Sequence, residues 1–169
     1  MCGPSPMAQK RTILVAVIGV SVAGPREQRW AQTVGGELSK LGYGVVTGGL
    51  GGVMEAASRG AAQAGGTVVG ILPTSRPEDA NDHVGVVVAT GMGDARNAVI
   101  ADTADGFIAI GKGLGTLSEV AFALKRGKPV VALGSWDVEG PDGQKPHAAA
   151  SAEEAVAMIH ALLEAGRGH

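Results

Sequence analysis

The segment Gly111-Lys112-Gly113-Leu114-Gly115-Thr116-Leu117-Ser118-Glu119 combines three glycines with a cation, hydroxyls and a carboxylate, a set suited to holding a phosphate. It follows the apolar run Gly106-Phe107-Ile108-Ala109-Ile110 and leads into a helical pattern, so the glycines fall where a buried strand turns into a helix. Glycine lets the backbone approach an anion closely, and the free N–H groups and positive dipole at a helix start favour negative charge. On this reading Gly111, Gly113 and Gly115 present amides and Thr116 adds a hydroxyl donor. Lys112 supplies charge, and Glu119, one turn in, faces the same mouth. A bare strand-to-helix turn seldom needs three glycines with Thr and Glu behind them.

Two further stretches have the same character. Thr47-Gly48-Gly49-Leu50-Gly51-Gly52-Val53-Met54-Glu55 is a second glycine-rich loop between a strand and a helix. Gly48, Gly49, Gly51 and Gly52 are read as a sugar or phosphate cradle, against the alternative that the loop simply packs on the first strand; Met54 is read as a core residue. In Thr90-Gly91-Met92-Gly93-Asp94-Ala95-Arg96-Asn97 the arginine falls in the first turn of a helix, where the dipole repels cations. A bound anion would account for Arg96 there, as would an ion pair with Glu119. Met92 and Asn97 join it as candidate ligand contacts, and Asp94 is read as the helix N-cap. The loop after the first strand contributes Gly19 and Ser21.

Two well-known nucleotide signatures are absent. Gly106 to Lys112 has the opening of a P-loop, but Gly113 stands where Ser or Thr would hold Mg²⁺, and the intervening residues are strand. Gly19-Val20-Ser21-Val22-Ala23-Gly24 lacks the spacing of a dinucleotide fingerprint, and no acidic residue closes the second strand at Thr47 to grip a ribose.

The elements that must position these loops alternate. Thr12 to Gly19 reads as a buried strand, Glu27 to Leu41 as an amphipathic helix with Trp30, Val34, Leu38 and Leu41 inward, and Gly44 to Thr47 as a second strand. A helix through Ala64, strands at Thr67 to Leu72 and Val86 to Ala89, and a helix from Asp94 to Ala104 follow. Strand Gly106 to Ile110, helix Leu114 to Arg126 and strand Pro129 to Leu133 come next. Gly134 to Ala150 reads as a long mobile loop. The last helix opens on a capping box, Ser151-Ala152-Glu153-Glu154, and buries Val156, Ile159, Leu162 and Leu163. Such alternation calls for an α/β fold of three layers, a single-domain, Rossmann-like, doubly wound parallel sheet with ligands at the carboxyl ends of its strands.

Composition narrows the functions. The 169 residues suit one domain over residues 11–169, with residues 1–10 as a disordered tail. A net charge of −2 and 3% aromatic residues supply neither the basic footprint nor the stacking platform of a nucleic-acid binder. The single cysteine, Cys2, and four histidines without ligand spacing, all read as surface residues, support no metal site. No apolar run spans a membrane and no signal-peptide core precedes the domain, so a cytoplasmic protein is expected.

The combination of T-G-G-L-G-G-V-M, the Arg96-Asn97 pair and G-K-G-L-G-T-L-S-E resembles the Lonely Guy family of Rossmann-like proteins, from about Thr12 to Leu163. That resemblance implies a nucleoside 5'-monophosphate phosphoribohydrolase, releasing base and ribose 5-phosphate, with Arg96 and Glu119 catalytic. The family pattern is P-G-G-x-G-T-x-x-E. Gly113, Gly115, Thr116 and Glu119 match it, whereas Gly111 and Lys112 replace its Pro and first Gly. The family Lys after the arginine is Asn97 here, and the acidic residue before the final Glu is Ser118.

These departures, with G-x-A-R at Gly93 to Arg96 and the Val-x-Thr-Gly-x-Gly stretch ending at Gly93, are more similar to the neighbouring branch. It holds molybdenum cofactor carrier proteins and bacterial nucleotide-binding proteins. The expectation is a binding or carrier protein for a phosphorylated nucleotide-like molecule, a nucleoside monophosphate or a molybdopterin-type cofactor, with no cofactor of its own required. The hydrolase is the alternative. The resemblance also implies a homodimer or homotetramer, and the apolar breadth of the helices at Asp94 to Ala104 and Leu114 to Arg126 points the same way.

Overall fold

The computed structural model describes Gly3 and residues 10–168; apart from Gly3 and Lys10, the expected tail lies outside the described residues, as does His169. In chain order the elements are β1 (Leu14–Gly19), α1 (Pro25–Lys40), β2 (Gly44–Thr47), α2 (Val53–Gln63), β3 (Val68–Leu72) and β4 (Val86–Ala89). There follow α3 (Arg96–Thr103), β5 (Gly106–Ile110), α4 (Leu114–Lys125), β6 (Val130–Leu133), β7 (His147–Ala149) and α5 (Ala152–Arg167). Short 3₁₀ turns at Pro77–Asp79 and Gly93–Ala95 flank β4. Among the described residues, no helix is long and apolar enough to cross a membrane.

All pairings in the sheet are parallel, in the order β4-β3-β2-β1-β5-β6-β7. The chain winds outward from β1 to β4, then crosses back and continues from β5 on the other side of β1. The switch point therefore lies between β1 and β5, whose carboxyl ends meet at the pair Gly19 and Ile110. From there β1 leads to α1 on one face and β5 to α4 on the other, and the diverging loops leave a crevice.

Two hydrophobic cores fill the layers. One packs Val15, Val17, Ile108 and Ile110 against α1, α2 and α5; the other packs Ala16, Ile18, Phe107 and Ala109 against α3 and α4. The alternation of these residues is the pleat itself, with odd and even positions facing opposite layers. Helices α1 and α2 approach backbone to backbone: a Cβ on Gly35 would strike the Ala57 carbonyl, and one on Gly60 the Gln32 carbonyl.

Four sequence expectations need correction. The long loop after β6 contains a seventh strand, β7, a three-residue edge strand of His-Ala-Ala with little intrinsic strand preference, held only by its pairing with β6. Asp94 is not the cap of α3, because Gly93, at φ +58°, opens a 3₁₀ turn that contains Asp94, and α3 begins after Ala95 without a side-chain cap. Leu41 caps α1 and is exposed, since the helix ends at Lys40. His160 is half-buried in α5, and its Nδ1 pairs with the Tyr43 hydroxyl at 2.6 Å.

Candidate functional site

The first turn of α4 stands over the crevice. Gly111 ends β5 at φ +77°, and Gly113, in extended conformation, is the N-cap of α4 with no side-chain cap. The Gly113 carbonyl accepts from Leu117 N–H and from the Trp136 indole Nε1–H, each at 2.9 Å. Among the described residues the amides of Leu114, Gly115 and Thr116 thus open the helix without an acceptor. Thr116 lies behind them at 2% exposure, and a Cβ on Gly113 would sit 3.4 Å from its hydroxyl oxygen. Helix α5 begins differently, because Ser151 Oγ accepts from Glu154 N–H and Glu154 Oε2 from Ala150 N–H.

Arg96, the first residue of α3, reaches into the sheet ends. Its Nη1 donates to the carbonyls of Gly48 and Ile71, both at 2.7 Å, and its Nε to Asn97 Oδ1 at 3.0 Å. The carbonyls at the ends of β2 and β3 thus offset the unfavourable helix dipole. Gly48 makes this possible, since a Cβ there would lie 2.5 Å from both Arg96 Nη1 and Met54 Sδ. Of the two partners considered for Arg96, an anion or Glu119, no ion pair with Glu119 is seen, and Nη2 has no hydrogen-bond partner among the described residues. Burial lowers the Arg96 pKa, while the charges of Glu119 and then Asp94 hold it up.

Glu119 sits one turn into α4 at 9% exposure. Burial pushes its carboxyl up to about 7, opposed only by the positive charge of Arg96, so it is divided between acid and carboxylate near neutrality. From Arg96 a relay runs to α4: Asn97 accepts from Arg96, its Nδ2 donates to Ser118 Oγ at 3.0 Å, and Ser118 Oγ donates to the Gly115 carbonyl at 2.6 Å. The two departures from the Lonely Guy pattern, Asn97 and Ser118, therefore touch each other. A neutral hydrogen bond stands where that pattern has a cation and an acid. Asn97, 7% exposed with both ends of its amide engaged, holds Arg96 to α4.

The other predicted residues divide. Gly19 and Gly52 are set by packing, the first against the Ile110 carbonyl and Val53, the second, at φ +66°, against the carbonyls of Val20 and Ser21. Val53 N–H also bonds the Val20 carbonyl at 3.0 Å, so the loop before α2 does close on the β1 loop. Gly49, at φ +78°, packs against Leu72; a Cβ on Gly51 would meet, among the described residues, the Ser21 carbonyl at 3.7 Å in ordinary contact. Ser21 is exposed on the rim, as is Met92 on the rim of the β4–α3 turn. Met54 is buried, as expected.

Lys112 is exposed, with its ammonium 5.9 Å from the centre of the Trp136 ring. Trp136 itself escaped the sequence reading. A tryptophan in a Gly- and Pro-rich loop of a chain with 3% aromatics was the signal available. Among the described residues no group of His, Cys, Asp and Glu is arranged to hold a metal ion.

Comparison with known proteins agrees with this architecture. The profile of the SLOG cluster4 family matches residues 12–162. An uncharacterized protein of Archaeoglobus fulgidus is 44% identical over 119 residues, 70% of this chain and 78% of that protein. The molybdenum cofactor binding protein of the phototrophic bacterium Rippkaea orientalis superposes with a TM-score of 0.86 at 36% identity, covering 92% of this chain and 99% of the other. The molybdenum cofactor carrier protein of Chlamydomonas reinhardtii does so with a TM-score of 0.80 at 33% identity, over 91% and 99%.

Proposed function

The chain belongs to the SLOG cluster4 family, and from that premise we propose that it is a cytoplasmic binding or carrier protein for a phosphorylated, nucleotide-like small molecule. Its nearest chemical model is the molybdenum cofactor handled by the two similar proteins of solved structure. The observation that carries the reading is the uncapped first turn of α4, with the buried Thr116 hydroxyl behind it and the Arg96 guanidinium across the crevice. Gly111, Lys112, Gly113, Gly115 and Thr116 would hold the phosphate through amides, hydroxyl and charge, and Arg96 would neutralise it. The loops holding Ser21, Gly48, Gly51 and Met92 would border the heterocycle. Titration calorimetry with inorganic phosphate, AMP and a pterin phosphate tests the reading; binding of none of them removes it.

A second reading, a nucleoside 5'-monophosphate phosphoribohydrolase, is favoured by one observation, the buried Glu119 carboxyl beside Arg96. In that reaction water adds to the ribose C1' as the bond to the base breaks. Glu119 would activate the water or stabilise the developing positive charge, and Arg96 would orient the phosphate. Incubation with AMP and isopentenyladenosine monophosphate separates the two, since only the hydrolase releases free base, and Glu119→Gln should abolish that release while leaving binding.

The assembly we infer is a homo-oligomer. Leu114 is exposed at the start of α4, and a groove of about 650 Å³ further along it is lined by Leu117, Ala121, Leu124, Val138 and Pro141, with charged residues such as Lys125 and Glu139 also in its lining. Burial of the apolar part of this face against a second copy would remove it from water.

A further inference from the structure

Trp136 lies on the loop from β6 to β7, 23 residues from the helix start it touches. Its indole Nε1–H donates to the Gly113 carbonyl at 2.9 Å, the same carbonyl that takes the first hydrogen bond of α4. Its ring face receives the Lys112 ammonium at 5.9 Å from the centroid. Two consecutive residues of the glycine loop are therefore held by one side chain, one through its peptide group and one through its charge. The loop needs such a hold. Gly111 and Gly113 have no side chains to fix their backbone, and α4 has no side chain capping its start. An unfixed peptide at Gly113 would let the amides that follow it rotate away from a common focus.

We propose that Trp136 is a positioning residue for the anion-binding turn: it fixes the Gly113 peptide so that the α4 amides converge, and it parks Lys112 until an anion draws the ammonium into the crevice. This rests on the reading that the turn binds a phosphate group. The cation–π seat competes modestly with the ligand, because such contacts at partly exposed sites are weak against a charge-assisted hydrogen bond to phosphate. Arrival of the anion then changes the environment of the indole without the ligand having to touch it.

The test uses full-length protein in two forms. Inorganic phosphate and AMP are titrated calorimetrically into wild type and Trp136→Phe, which keeps a ring but has no N–H. Affinity for both ligands should fall by a similar factor, about five-fold. In Trp30→Phe, which leaves Trp136 as the sole tryptophan, indole emission should change on phosphate addition with half-saturation at the calorimetric Kd. That change should disappear when Lys112→Gln is added.

The emission measurement leaves Trp136 in place, so it stands even where Trp136→Phe fails to fold. Affinity of a folded Trp136→Phe within two-fold of wild type, or emission unmoved at saturating phosphate, overturns the proposal. Absence of binding to wild type removes the anion-site reading and this inference with it, whereas normal wild-type binding with either negative result removes the inference alone.

Discussion

Asn97 Nδ2 lies 3.0 Å from Ser118 Oγ, joining the first turn of α3 to the start of the second turn of α4 across 21 residues of sequence. Because Asn97 also accepts from Arg96 and Ser118 donates to Gly115, this one contact couples the cation of the site to its amide cradle. Asn97→Ala should leave the Arg96 Nε and the Ser118 hydroxyl short of a partner. Stability should fall by about 1–3 kcal/mol, read by urea denaturation, and phosphate affinity should fall with it. A double-mutant cycle with Ser118→Ala should show non-additivity, since both substitutions break the same bond.

Thr116 is buried in the first turn of α4 and carries a hydroxyl that can donate. Thr116→Ala should weaken binding of phosphate or AMP by roughly 1 kcal/mol, about five-fold in Kd, with little change in melting temperature. Titration calorimetry checks both halves; an unchanged Kd would place the phosphate elsewhere.

Glu119 titrates at about 7 in the folded chain against an ordinary 4.5. The folded value is raised, so the stability its proton contributes is complete below about pH 4.5 and is lost as pH rises through about 7. Glu119→Gln should remove this slope and leave the variant more stable than wild type at pH 8, by on the order of 3 kcal/mol. Sulfate, whose charge is constant over this range, should bind wild type more weakly as pH rises through about 7 and bind Glu119→Gln equally throughout. Denaturation and sulfate titration at pH 5.5, 7 and 8.5 measure both.

The exposed apolar face of α4 predicts an oligomer. Sedimentation velocity at micromolar concentration should give a dimer or larger species, and Leu117→Glu, which places a charge in the groove beside Ala121 and Val138, should shift it towards monomer. A monomeric wild type at that concentration would refute the assembly.

The sequence by itself determined what depends on near neighbours. The bounds of β2, β4 and β5 and the capping box at Ser151 were legible because strand periodicity and caps are written within a few residues. The alternation of elements then required a parallel sheet, and the glycine loops at its carboxyl edge followed. Tertiary structure decided the partners. Nothing near Arg96 in the sequence names the carbonyls of Gly48 and Ile71, 48 and 25 residues away, to which its guanidinium donates. Strand β7 exists through its pairing with β6 rather than through its own residues. Asn97 meets Ser118, and Trp136 meets Gly113, because the crossover that sets β5 beside β1 brings separate loops to one edge. Which loops share that edge depends on strand order, a property of the whole winding that no local window of sequence contains.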